Sequence, residues 1–144
     1  MSVRVFVASN LDQKRDYAKQ ALEHKLYNPG WMLSSELDEI ENGRYDEIVD
    51  ISLAFEDQTP IGVAIYFTPI NRSSVRVGSV FPPRSVICFV ASNKRRKGVG
   101  QKLIESFNVP HSEMKCWKGE EHSSKFWTKI GTNYRGLWDW SDAA

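Results

Sequence analysis

Cysteine is scarce in this chain: Cys88 and Cys116 are the only two among 144 residues. Two thiols cannot staple a small secreted fold, and Cys88 sits inside an apolar stretch, so two buried free thiols in a reducing compartment are expected. Histidine is almost as sparse, and His24, His111 and His122 are scattered without metal-ligand spacing. No apolar run approaches the roughly 18 residues of a membrane span. The apolar stretch near the amino terminus is also too short for a secretory signal. Net charge is nearly absent, at +1, so no global field draws the chain to nucleic acid or a membrane. Internal repeats, low-complexity tracts and linkers are missing too. From these absences a soluble, cytoplasmic, metal-free protein built as one domain over residues 1–144 is expected.

What is present supports a real core. Hydrophobic residues make up 41% of the chain, with five Trp, five Tyr and seven Phe, which excludes a disordered polymer. Local charge is uneven. Between residues 34 and 57 stand nine acids (Glu36, Asp38, Glu39, Glu41, Asp46, Glu47, Asp50, Glu56, Asp57) against one base, Arg44. Between residues 71 and 102 stand eight bases (Arg72, Arg76, Arg84, Lys94, Arg95, Arg96, Lys97, Lys102) and no acid. The split suggests two ligand faces of opposite preference; ordinary solvated surface is the bland alternative.

Residues 3–8 alternate and predict a strand. Ser9 and Asn10 carry cap chemistry for a helix over residues 11–26, with Tyr17, Ala18, Ala21, Leu22 and Leu26 near one face. A short helix over residues 34–40 follows, stopped by Asn42-Gly43. Residues 47–56 alternate, with Val49, Ile51, Leu53 and Phe55 on one side and Asp50, Ser52, Ala54 and Glu56 on the other. Residues 57–60 turn the chain and residues 61–67 return it, giving a hairpin. Residues 69–84 read as a long basic loop with a short strand at 75–77. Strand 85–91, helix 98–107, strand 113–117, helix 123–130 and strand 133–140 complete the order.

The stretch that decides the functional reading is the strand of residues 85–91, running through Asn93-Lys94-Arg95-Arg96-Lys97 into Gly98-Val99-Gly100-Gln101-Lys102. A strand entering a helix through a basic, glycine-rich turn gathers backbone N–H groups that have no intrahelical partner. Those donors, the positive end of the helix dipole and the cations suit a pyrophosphate. Gly98 and Gly100 would let a phosphate approach without a Cβ in the way.

Arg95-Arg96-Lys97-Gly98-Val99-Gly100 fits the Arg/Gln-x-x-Gly-x-Gly/Ala motif of the GCN5-related N-acetyltransferase (GNAT) family, which the chain resembles. Phe126-Trp127-Thr128-Lys129-Ile130-Gly131 is similar to that family's aromatic pair followed by glycine. The resemblance covers essentially the whole chain. It implies an α+β fold, a three-layer α/β/α arrangement with a mixed, mostly antiparallel sheet flanked by helices. The last strand is expected to be shortened or absent, leaving an edge open to a second copy, so monomer and homodimer both stand.

The resemblance further implies that acetyl-CoA is the co-substrate and that no metal takes part. Its diphosphate would sit on the amides of residues 96–101. Carrier contacts are implied for Phe89, Val90, Ala91, Arg95, Arg96, Lys97, Gly98, Val99, Gly100, Gln101, Lys102 and Trp127. The Val90 backbone amide would polarise the thioester carbonyl while an amine, on a small molecule or a protein, attacks directly. Trp127 stands where the family often has a tyrosine acid, and an indole cannot protonate a thiolate. Cys116 and Tyr134 remain side-chain candidates for catalysis, with Asp50, Glu56 and His122 as weaker possible bases. Trp117, Trp127, Trp138 and Trp140 suit core or lid packing. Two rival classes stand beside the enzyme. One is a catalytically silent acyl-CoA-binding or protein-binding module on the same fold. The other is a nucleic-acid patch at residues 94–97, which has no interleaved aromatics.

Overall fold

The computed structural model describes residues 3–28, 32–68, 84–91, 93–94, 98–116, 126, 129 and 133–134. Its elements run β1 (Val3–Val7), α1 (Leu11–Glu23), α2 (Met32–Glu41), β2 (Val49–Glu56), β3 (Thr59–Phe67), β4 (Ser85–Val90), α3 (Val99–Glu105), β5 (Lys115–Cys116) and β6 (Asn133–Tyr134). The sheet order is β1-β2-β3-β4-β5-β6. The first four strands pair antiparallel, and β5 joins β4 and β6 in parallel.

α1 starts where its cap chemistry dictates. Asn10 accepts the Gln13 N–H at 2.8 Å, and Gln13 Oε1 accepts the Ser9 N–H at 2.7 Å. Such reciprocal caps stabilise a helix by about 1 kcal/mol. The helix ends earlier than residue 26. Lys25 takes a left-handed backbone (φ 54°), its N–H bonds Leu22 O at 3.1 Å, and the Leu26 N–H bonds Ala21 O at 2.8 Å. Leu26 is buried as the hydrophobic contact of this helix-ending turn, not as part of the helical face.

Two cores lie on opposite faces of the sheet. α1 and α2 bring Tyr17, Ala18, Ala21, Leu37 and Ile40 onto Val49, Ile51, Leu53, Val63, Ile65 and Phe67. α3 brings Val99, Leu103 and Ile104 onto Ala54, Ala64, Tyr66, Val86 and Val90. Each fully buried Leu or Ile contributes about 2 kcal/mol. The expected three-layer arrangement with a mostly antiparallel mixed sheet is what forms.

Several details differ from the sequence expectation. Ser52 and Ala54 are wholly buried, because α3 covers the side of β2 that the alternation marked as polar. The hairpin turn is Asp57-Gln58, with Asp57 at φ 57°, and Thr59 and Pro60 already belong to β3. Opposite this turn the register slips: Ala54 faces Gly62 but Phe55 faces Pro60. The extra residue is a β-bulge that turns Ile61 into the α3-side core. Glu113 ends a turn of 3-10 helix, His111–Glu113, and is not part of β5. Phe126 and Lys129 are helical, within the helix expected at 123–130. The expected strand at 75–77 and residues 135–140 lie outside the described residues.

Candidate functional site

β4 forms the floor of the site. It pairs with β5 only at Ser85–Lys115 and Val86–Cys116 among the described residues, while β3 flanks it along Val86 to Val90. Ala91 donates its N–H to Ile61 O at 2.9 Å. By the alternation of an antiparallel ladder, Phe89 and Ile87 also direct their backbone groups to β3. The backbone groups of Val86, Cys88 and Val90 therefore face the β5 side.

Beyond β4 the chain is fastened twice. The Lys94 N–H bonds Ala91 O at 2.8 Å, and Lys94 Nζ reaches Glu56 Oε1 at 2.7 Å. α3 then opens at Gly98, whose left-handed backbone (φ 72°) favours glycine and whose missing Cβ would meet nothing within 4 Å. The first helical bond is Lys102 N–H to Gly98 O at 3.2 Å, so the amides of Val99, Gly100 and Gln101 have no intrahelical acceptor. Val99 and Gly100 are buried, whereas Gln101 and Lys102 are exposed.

Gly100 has a different neighbour from the one its motif suggests. A Cβ there would come within 3.0 Å of Phe126 Cε1 and Cζ and 3.8 Å of Val90 Cγ2. The glycine turn and the aromatic motif, 26 positions apart in sequence, thus meet in space. Cys116 and Tyr134 are register partners on β5 and β6, and Cys116 also faces Val86. Val90 lies four residues farther along β4, about 13 Å at the rise of a strand. The backbone candidate and the two side-chain candidates therefore sit at different points of the sheet. Arg95, Arg96, Lys97, Trp127, His122, Trp117, Trp138 and Trp140 lie outside the described residues.

The acidic segment is largely engaged by its own chain. Arg15 holds Asp46 with two hydrogen bonds, Lys14 Nζ lies 3.8 Å from Asp50, and Arg44 meets Glu39 at 3.1 Å. Glu56 is tied to Lys94 by an ion pair. Glu36, on α2, is only 4% exposed, and its Oε2 has no hydrogen-bond partner. Burial pushes its carboxyl up to about 7 against the opposing hydrogen bond from Tyr45. Burial, followed by the charge of Glu36, pushes the Tyr45 hydroxyl up to about 12. Nothing in the sequence pattern marked Glu36 as buried, apart from its place one position before Leu37.

No family model matches the chain, and no curated protein matches it. Solved structures do. Ribosomal-protein-alanine N-acetyltransferase from Brucella melitensis biovar Abortus is 17% identical, with a TM-score of 0.57 and 96% of each chain covered. A GCN5-related N-acetyltransferase from Ralstonia eutropha is 12% identical, with a TM-score of 0.58, covering 96% of this chain and 97% of that one. The chain has the GCN5-related N-acetyltransferase fold. AAC(6')-Iy, solved with the bisubstrate analogue CoA-S-monomethyl-acetylneamine, shares it at 17% identity and a TM-score of 0.58, with 96% and 97% covered. On this acetyltransferase fold, no described helix is long and apolar enough to cross a membrane. The described residues also contain no cluster of three or more His, Cys, Asp or Glu side chains able to hold a metal ion.

Proposed function

We propose that the chain is an acyl-CoA-dependent N-acyltransferase that moves an acetyl group from acetyl-CoA to a primary amine by direct attack in a ternary complex. The observation that carries this reading is the run from β4 through left-handed Gly98 into α3, on a fold shared with acetyltransferases. Residues 96–101 would hold the diphosphate, and the open space at Gly98 leaves room for it. Phe89, Val90 and Ala91, at the end of β4, would line the pantetheine. The Val90 amide would donate to the thioester oxygen as charge develops there, an effect on the order of 3 kcal/mol in comparable sites. The amine lone pair forms the C–N bond as the C–S bond breaks, the thiolate leaves, and the surplus ammonium proton passes to solvent or a base. Cys116 and Tyr134 stay candidates for proton transfer, from their place on β5 and β6.

Binding without turnover is the second reading, favoured by Trp127 at the position where a tyrosine acid would serve. Thiol release from acetyl-CoA across a panel of primary amines separates the two. Saturable release supports the enzyme. A raised melting temperature with acetyl-CoA but no release supports the silent module. Folded protein showing no heat with millimolar acetyl-CoA overturns both.

A further inference from the structure

We propose that Glu56 and Lys94 are positioning residues for the acyl carrier, and that Lys94 acts as a strut fixing the chain to the sheet ahead of α3 and not as a ligand of the diphosphate. The inference rests on the acyl-CoA reading above. Lys94 opens a run of four consecutive cations, and charge alone would count all four as phosphate ligands. Its geometry says otherwise. Lys94 Nζ lies 2.7 Å from Glu56 Oε1, and the two side chains are only 20% and 12% exposed. The pair is thus poorly screened by salt and strongly neutralised. Glu56 is the last residue of β2, held between Val3 of β1 and Thr59 of β3, so it is a rigid anchor. The Lys94 backbone is fixed as well, through Ala91 O, and Ala91 is in turn fixed to Ile61.

Side chain and main chain of Lys94 are therefore both fastened to the sheet, one on β2 and the other through β3. The helix begins at Gly98, four residues later. A diphosphate cradle requires its donors to be in place before the ligand arrives, because ordering them afterwards costs affinity. The Glu56–Lys94 pair supplies that order four residues before Gly98 opens α3.

The two roles of Lys94 predict opposite signs at Glu56. If Lys94 bound phosphate, Glu56 would compete for it, and Glu56→Gln would tighten binding. If Lys94 is a strut, Glu56→Gln releases its side chain from β2 and weakens binding. Calorimetry with CoA at fixed ionic strength, on full-length wild type, Glu56→Gln, Lys94→Met, the double variant and Lys94→Arg, decides between them, with melting curves to establish that each is folded. The strut predicts a loss of about five- to twentyfold in each single variant, the size of one broken coupling. It predicts a double variant no weaker than the weaker single, and near-native binding by Lys94→Arg, which keeps the pair even if Glu56→Gln folds poorly. Equal or tighter binding by folded Glu56→Gln, or additive losses in the double variant, overturns it. Absence of CoA binding by the wild type instead sinks the acyl-CoA reading itself, an outcome distinct from any variant result.

Discussion

Phe126 lies against Gly100 so closely that a Cβ added at Gly100 would sit 3.0 Å from both Cε1 and Cζ of the ring. Gly98, two residues earlier, is open on the same test but holds a left-handed backbone. The two glycines therefore answer substitution differently. Gly100→Ala should destabilise by about 1–3 kcal/mol through overpacking, and Phe126→Leu in the same chain should restore part of that. Gly98→Ala should cost about 1 kcal/mol of backbone strain and leave the packing intact. Its melting temperature should nonetheless rise less with acetyl-CoA than the wild type's. Thermal melts of the four proteins with and without acetyl-CoA check this; an unaffected Gly100→Ala would show that the ring does not rest there.

Glu36 makes stability fall as pH rises. Its carboxyl is raised from 4.5 to about 7 by burial, so the folded state holds the proton more tightly than the unfolded chain. The carboxyl imposes no penalty below about pH 4.5. A cost builds as pH climbs toward 7 and is complete above it. Tyr45, which donates a hydrogen bond to Glu36, and Arg44, which is bonded to Glu39, face the same carboxyl and moderate the effect, whereas the charge of Glu39 adds to it. Glu36→Gln should therefore be more stable than wild type by about 1–3 kcal/mol at pH 8.5, with the difference shrinking toward zero near pH 5. Urea unfolding of both proteins across that range measures it. A constant difference would mean that the carboxyl titrates normally.

Elements whose information is periodic or local were legible in the sequence. The alternation at Val49, Ile51, Leu53 and Phe55 located β2, Asn42-Gly43 located the end of α2, and the Gly98 turn located the start of α3. What escaped depends on residues far apart in the chain. Ser52 reads as solvent-facing until α3, about fifty positions on, lands over it. The slip at Ala54/Phe55 has no signature, because Ile61 is as apolar as the core on either face of the sheet. The packing of Gly100 against Phe126 joins residues 26 positions apart, which no local pattern reveals. The ion pair of Glu56 is invisible in the sequence because its partner, Lys94, sits 38 residues away in a run of like charges.

Ser52 pays for its buried place with an unmet hydroxyl. It is 0% exposed and its Oγ has no hydrogen-bond partner. A buried polar atom without a partner costs more than its removal, since the lost volume is a single oxygen. Ser52→Ala should be neutral or stabilising by up to about 1 kcal/mol. Equilibrium denaturation gives the answer, and a loss larger than that would reveal a bond to ordered water.

Lys25 ends α1 in a conformation that suits glycine. Its φ of 54° places a Cβ in the left-handed region, while the N–H groups of Lys25 and Leu26 close the helix onto Leu22 O and Ala21 O. The lysine side chain is exposed, and no ion pair among the described residues holds it. Lys25→Gly relieves the strain, worth about 1–2 kcal/mol, against the greater freedom glycine gives the unfolded chain. The net gain should be about 0.5–1 kcal/mol. Lys25→Ala keeps the Cβ and should gain nothing, which makes it the control. A urea midpoint that rises for glycine and stays put for alanine assigns the effect to backbone strain; equal shifts would assign it to loss of the charged side chain.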